Sequence, residues 1–412
     1  MRLQAAFGAL NKAVLAVAVA STGAWPQWGG PNRDFKVEVT GLAGTWPAAG
    51  PPVLWRRPLG EGYSAIVADS GTLYTMYRSG ALEVVVALSA DTGQTLWEHR
   101  YDAPFRDGMN VDNGPGPHAT PVIAGDRVFA AGAVGRLQAL DKRTGRVAWV
   151  RDLWSDLGGT LVETGYSSSP LAYGDTIILP VGGPGHAVVA LRQSDGAVVW
   201  KRHDFVNSPA SPTLIRVGGQ DQVVVFMAKL VAGLDPVTGD LLWQHPHDTR
   251  LNLNISTPAW DGRSLLFCSS AYDVGSRVLE LSRVGSGTEV KQLWANRRFR
   301  VHKDDAIWIG DRVYGWSGDF GPSLLTAADG RTGKLAWQDR SFARASFLYA
   351  DGKLIVLDED GNLGLITLTE TGPRVQARFP LMKGRSWTVP TLAGTRLFAR
   401  DRQEIVALEL GS

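Results

Sequence analysis

Seven side chains that could bind or react stand just ahead of short strand openings in this sequence: Tyr63, His118, Tyr166, Asn207, Asn254, His302 and Trp387. Lys303, Asp304, Asp305 and Arg385 lie beside them. The imidazoles of His118 and His302 offer nitrogens to a metal or a proton, and Asn207, Asn254 and Asp304 offer oxygens. Their separations match no metal-binding pattern of the His-x-Glu or His-x₃-His kind, so no metal site is expected. The plainer role is to hydrate a wet central channel and cap strand ends, and only their location at a channel mouth is expected of them. The loop from Asp102 to Asp112 gathers Asp102, Asp107, Asn110 and Asp112 but lacks the order of a calcium loop, and reads as surface. Nucleophilic catalysis finds no elbow of the Gly-x-Ser-x-Gly type, and Ser167 to Ser169 are explained by a strand opening. Gly182-Gly-Pro-Gly185 has no helix after it to hold a phosphate. No pair of carboxylates stands apart for acid–base work, so no catalytic residue is assigned.

Composition narrows the field further. The chain has 412 residues, of which 48 are Gly, with 44% hydrophobic and 20% charged residues, which describes a turn-rich globular protein. Lys and Arg number 42 against 40 acids. Arg2 and Lys12 are the sole charges among residues 1–24, and without them 40 bases face 40 acids. No basic field remains to hold a phosphate backbone, so nucleic acid is not an expected partner. Cys268 is alone, which removes internal disulfides and cysteine-based zinc or iron–sulfur sites.

The first residues read as an export signal. Arg2 and Lys12 precede an apolar run from Ala13 to Ala20, then small residues lead to Trp25, with cleavage expected after Ala20 or Ala24. The run is short of the roughly 20 residues a membrane span needs, and no later stretch qualifies. The expected organisation is a signal peptide over 1–24, an N-terminal arm over 25–50 and one domain over 51–410.

Internal repetition decides the architecture of that domain. Ala87-Leu-Ser-Ala-Asp-Thr-Gly-Gln-Thr-Leu-Trp97 returns as Ala139 to Trp149, Ala190 to Trp200, Gly233 to Trp243 and Ala327 to Trp337. A longer version ends at Trp294, a degenerate one passes Thr371-Gly372 to Phe379, and Trp55 stands without a repeat before it. The aromatic positions 55, 97, 149, 200, 243, 294, 337 and 379 are spaced by 42 to 52 residues, the period of solenoids and propellers. Within each unit, alternating apolar runs separated by Gly and Asp turns predict antiparallel strands in a meander. A fourth strand opens at Ser64-Ala65, Thr120-Pro121, Ser169-Pro170, Ser211-Pro212, Thr257-Pro258, Asp305-Ala306, Ser346-Phe347 and Val389-Pro390. Eight openings and eight closings predict an all-β, eight-bladed propeller of four-stranded antiparallel blades.

The last unit ends after the Arg396–Arg400 and Glu404–Leu408 runs with no closing strand, while Trp55 belongs to a closing strand without a blade. The N-terminal strand is therefore expected to complete the last blade and cover an edge that would otherwise pair with another chain. Trp55, Trp97, Trp149, Trp200, Trp243, Trp294 and Trp337 are expected to pack on the turns of neighbouring units. Gly93, Gly145, Gly196, Gly239 and Gly333 would admit the rings to bare backbone there. Trp25, Trp28 and Trp46 are expected to tack the arm across one face.

The Ala-x-Asp-x-x-Thr-Gly-x-x-x-Trp element, complete from Ala139 to Trp149, resembles the repeat of the pyrroloquinoline-quinone-like (PQQ-like) propeller family. Trp25-Pro-Gln-Trp-Gly-Gly-Pro-Asn-Arg-Asp34, Asn113 to Pro121 and Gly310 to Gly315 resemble a secreted bacterial single-domain branch of it. The family contains quinoprotein dehydrogenases and cofactor-free propellers, among them the propeller subunit of the outer-membrane β-barrel assembly machine. For the dehydrogenases, the resemblance implies PQQ in the central funnel over a Trp floor, a disulfide between adjacent cysteines, Ca²⁺ on Glu, Asn and Asp, and an Asp base. The single Cys268 departs from that set.

The expectation is therefore an exported, periplasmic or secreted, monomeric propeller that binds or scaffolds a protein partner at the cell envelope without catalysis or cofactor. A small PQQ- and Ca²⁺-dependent alcohol or sugar dehydrogenase is the alternative, and a carbohydrate-binding propeller a further one.

Overall fold

The computed structural model describes residues 23–249, 251–319 and 321–412. The expected signal, apart from Gly23 and Ala24, lies outside the described residues. Eight antiparallel sheets follow one another. Blade 1 comprises Val67–Asp69, Thr72–Ser79, Leu82–Ser89 and Thr95–Asp102, and later blades repeat that order from the channel outwards. Second and third strands are buried on both sides, as in Thr176–Pro180 and in Val188–Arg192 up to its exposed last residue, because each blade packs face to face on its neighbours. Outer strands alternate between exposed and covered positions, as in Val53–Pro58. That strand is the outer strand of blade 8: Trp55 pairs with Ala407 and Pro58 with Glu404, antiparallel. Arg400, fully buried, adds a polar latch between blades 8 and 1 by donating to Ser64 O, Thr75 Oγ1 and Met76 O.

Five indoles dock as expected. A Cβ on Gly93, Gly145, Gly196, Gly239 or Gly333 would meet Trp55, Trp97, Trp149, Trp200 or Trp294 of the preceding blade at 2.5–2.8 Å. All five glycines have φ near +70°, a conformation side-chain-bearing residues rarely adopt. Each indole N–H donates to a backbone carbonyl in the neighbouring turn, for example Trp97 to Lys142 O at 3.0 Å and Trp149 to Gln193 O at 2.9 Å. A buried ring of about 150–250 Å² at about 25 cal/mol per Å² gives roughly 4–6 kcal/mol gross per step.

Three steps differ from the expectation. Trp243 lies back over its own third strand at Gly233 and donates to Gln222 Oε1 at 2.7 Å. Trp337 leaves its N–H without an acceptor, because Gly372 of blade 7 has no ring against it. In blade 7 the bulge that immediately precedes each paired Trp in the other blades precedes Ala377, so Phe379 stands two residues past the equivalent position. Phe379 instead covers Gly50, whose φ is +83° and whose Cβ would lie 2.6 Å from the ring. The arm thus supplies the glycine that blade 8 has no turn of its own to provide.

The arm also does more than cross a face. Trp25 bridges to Ala68 in blade 1, and Lys36–Val37 adds a fifth, parallel strand to the inner edge of blade 7. Between them, residues 27–35 enter the channel.

Candidate functional site

The small polar residues at the strand openings have a common task. Ala65 N–H donates to Thr120 Oγ1, Thr120 N–H to Ser169 Oγ and Ser169 N–H to Ser211 Oγ, at 2.9–3.0 Å. Thr257 N–H donates to Asp305 Oδ1 at 2.6 Å, and Thr388 Oγ1 donates to Tyr63 O at 3.2 Å. At these five steps one opening hands a hydrogen bond to the next, which satisfies backbone groups that a sheet edge would leave bare. The repeated Ser, Thr or Asp was the sequence signal for this ring.

The plug closes the channel below. Arg33 is buried and donates to Pro170 O at 2.9 Å and Ser169 O at 3.1 Å. Trp28 Nε1 donates to Thr257 Oγ1 at 2.9 Å. What remains is a cup of about 240 Å³ with Trp28, Tyr63, His118 and Trp387 in its lining. Leu253 and Ile255 make part of the opposite wall.

The expected site residues separate into two groups. Tyr63, His118 and Trp387 meet: Tyr63 stacks on His118 with centroids 5.9 Å apart and tilts against Trp387 at 5.3 Å. Lys303 Nζ sits 4.1 Å from the Trp387 ring centroid, and the indole N–H donates to Glu359 Oε2 at 3.0 Å. Tyr63 and Lys303 thus both lie against the Trp387 ring, which is half-buried and faces the cup. The other five lie behind the wall. Tyr166 donates to Pro180 O, Asn207 to Thr160 O and Val181 O, and Asn254 to Met227 O and His247 O. His302 is buried against the Tyr272 hydroxyl, 2.9 Å away, and Asp304 is buried 3.8 Å from Arg344. The asparagines staple inter-blade loops to strand ends, a role that one sequence cannot separate from rim hydration.

Burial governs the ionisable groups. It pushes His118 down to about 4 and His302 to about 3, with Arg344 adding to the effect on His302. It pushes Asp304 up to about 8 against the pull of Arg344, and Asp305 up to about 7 against the Thr257 hydrogen bonds. Arg33 falls to about 9 by burial, and Asp305 opposes that fall. A second buried network escaped the sequence reading. Glu83 accepts from Tyr101 at 2.6 Å, from Ala133 N–H at 3.0 Å and from Arg78 at 3.1 Å, which ties blade 1 to blade 2.

The donors do not fit a quinone–calcium pair. Cys268 is buried in the Leu265–Ser270 strand and has no cysteine to join. Among the described residues no three His, Cys, Asp or Glu side chains converge to hold a metal. The carboxylate in the cup lining, Asp305, is committed to Thr257.

With this geometry established, comparisons place the chain among known proteins. The family model described as outer membrane protein assembly factor BamB matches residues 47–204 and 81–339. A protein of that description from Kangiella koreensis is 34% identical over 92 residues, which is 22% of this chain and 23% of that one. The matched stretch thus spans about a quarter of that relative. The Burkholderia pseudomallei protein of the same description is 23% identical over 323 residues, 75% of each chain. The crystal structure of BamB from Moraxella catarrhalis has TM-score 0.61 at 19% identity, over 87% of this chain and 99% of that one. The quinohemoprotein alcohol dehydrogenase from Comamonas testosteroni reaches 0.66 at 13% identity, over 96% and 82%. At such identities both likenesses show the fold alone.

Proposed function

Because this chain belongs to the PQQ-like β-propeller family described as outer membrane protein assembly factor BamB, we propose that it is a non-catalytic protein-interaction module at the cell envelope, serving outer-membrane protein assembly. The observation that carries this reading is the family match reaching from residue 47 to 339. The structure is compatible in kind. A ring stitched blade to blade by backbone and side-chain hydrogen bonds is a rigid disc, and rigid scaffolds display binding loops at little ordering cost. Its channel is filled by Trp28 and Arg33, so recognition falls to the loops around the cup. Export through the residues 1–24 signal would deliver it to the periplasm. Among the described residues no helix is long and apolar enough to cross a membrane.

The test is photo-crosslinking in the native host from exposed positions on both faces, Phe105 and Val206 on one and Val237 and Val284 on the other. Mass spectrometry should identify a subunit of the outer-membrane β-barrel assembly machinery, and deletion of the gene should lower the amount of folded outer-membrane barrels. Crosslinks to no such subunit, with barrel levels unchanged, would remove the proposal. Dye-linked alcohol or sugar oxidation by the protein loaded with PQQ and Ca²⁺ would replace it with the dehydrogenase reading.

A further inference from the structure

The loops that lead from one blade to the next on the cup side are unequal. Those after blades 1 and 2 run over residues 103–121 and 153–170, whereas the loop after blade 6 spans only 340–344. The four loops after blades 1–4 are bonded in sequence. Asn110 N–H donates to Glu163 O, Asn207 Nδ2 to Thr160 O, and Ser208 Oγ to Asn254 O at 2.8 Å. They form one continuous crescent along one wall of the cup.

Large apolar side chains are exposed along that crescent: Phe105 at 46%, Leu161 at 38%, Val206 at 48% and Leu251 at 49%. They continue inwards through Leu253 and Ile255 to the cup. Exposed apolar groups that recur on one stitched surface beside a concavity mark a docking site more than chance exposure does. The charge around them selects the occupant. Asp107, Asp112 and Glu163 are exposed, and among the described residues none of their carboxylates forms an ion pair, whereas Arg106 is held by Asp152. Anionic headgroups would be repelled here, and a basic partner attracted.

We infer that this crescent and cup form a docking surface for an amphipathic polypeptide segment of a partner protein, with Lys or Arg flanking an apolar anchor that enters the cup. The inference deepens the interaction-module reading and rests on it for its biological setting, but its physical test is separate.

A short fluorescein-labelled peptide of Leu and Lys in amphipathic order, its Leu and Glu counterpart, and phosphatidylglycerol vesicles are titrated with the full mature protein. The Leu–Lys peptide should bind. Binding should weaken about tenfold at roughly 0.1 M salt in the triple variant Asp107→Asn, Asp112→Asn, Glu163→Gln. Leu161→Ser with Val206→Ser should weaken it at every salt concentration. Val237→Ser with Val284→Ser and Asp175→Asn, on the opposite face, should leave it unchanged. Equal binding of the Leu–Glu peptide, tighter binding of the vesicles, an equal loss in the opposite-face variant, or no binding at all would each overturn the inference. If the crosslinks of the previous section run from the opposite face to the assembly machinery while the Leu–Lys peptide fails to bind, this surface is refuted and the function stands. If the peptide binds as expected but no assembly subunit is crosslinked, the function fails and the surface stands.

Discussion

The blade-to-blade steps divide into two kinds, and the contrast shows what the Trp–Gly pair does. At five steps an indole lies on a left-handed turn glycine of the next blade and donates to a carbonyl there. At the step from blade 4 to blade 5, the next blade has no Thr-Gly turn, and Gly233 replaces the Ala found at that repeat position. Trp243 then falls onto its own strand and finds Gln222. At the step from blade 6 to blade 7, Trp337 is half-buried and its N–H has no acceptor. The indole is thus a bridge only where both halves of the device exist, and elsewhere it is an ordinary packing group.

The largest test of that contrast is removal of the ring. Trp200→Ala is expected to cost about 3–5 kcal/mol in urea unfolding, as aromatic truncations in well-packed sites do. Trp337→Ala should cost less than half as much, and equal losses would break the distinction. Next comes the glycine. Gly239→Ala forces both a positive φ and a clash with Trp200, and should cost about 2–4 kcal/mol, whereas Gly262→Ala, at φ +84° with open space around it, should cost about 1 kcal/mol. Gln222→Leu leaves the Trp243 N–H buried and unpaired, for about 1–3 kcal/mol, and should have no parallel at the Trp149 step, where the acceptor is backbone.

The smallest effect sharpens a different comparison, between the acids and the histidines of the cup and the wall behind it. Folded Asp304 and Asp305 hold protons up to about 8 and 7, against about 3.9 when unfolded, so their contribution is complete at low pH and fades as pH rises through those values. His118 and His302, lowered to about 4 and 3, act with the opposite sign, and their contribution returns as pH rises towards about 6.5. The two pairs oppose one another below about pH 6.5, and above it only the acids change. Thermal melts should therefore show Tm falling between about pH 6.5 and 8.5, with Asp304→Asn plus Asp305→Asn flattening the fall. A flat wild-type profile over that range would contradict the assignment.

Much of the ring was legible because repetition is a property of the chain itself. Period-two strands, Thr-Gly turns and the unpaired Trp55 all lie within one unit or depend on a count of units, so the closing strand could be placed from sequence. Phe379 was misaligned because a bulge position is set by pairing: Ala377 takes the repeat's place, and Gly50, more than three hundred residues away, receives the Phe379 ring. Tyr166, Asn207 and Asn254 stand at the expected end of the propeller but turn their polar atoms to carbonyls of neighbouring strands, and no spacing in the chain records which way a side chain turns. The plug left no sign either, since Arg33 reads as an ordinary surface cation until Ser169 and Pro170 surround it.

By itself the sequence determined the number of blades, their order, the latch of front to back and the want of a cysteine pair, because these follow from residue types repeated at regular distances. Only the tertiary structure decided that the channel is a cup, that the arm fills its base and that four loops join into one exposed crescent. Those features arise where segments distant in the chain meet, and their energies depend on burial and on partners that exist only once the ring has closed.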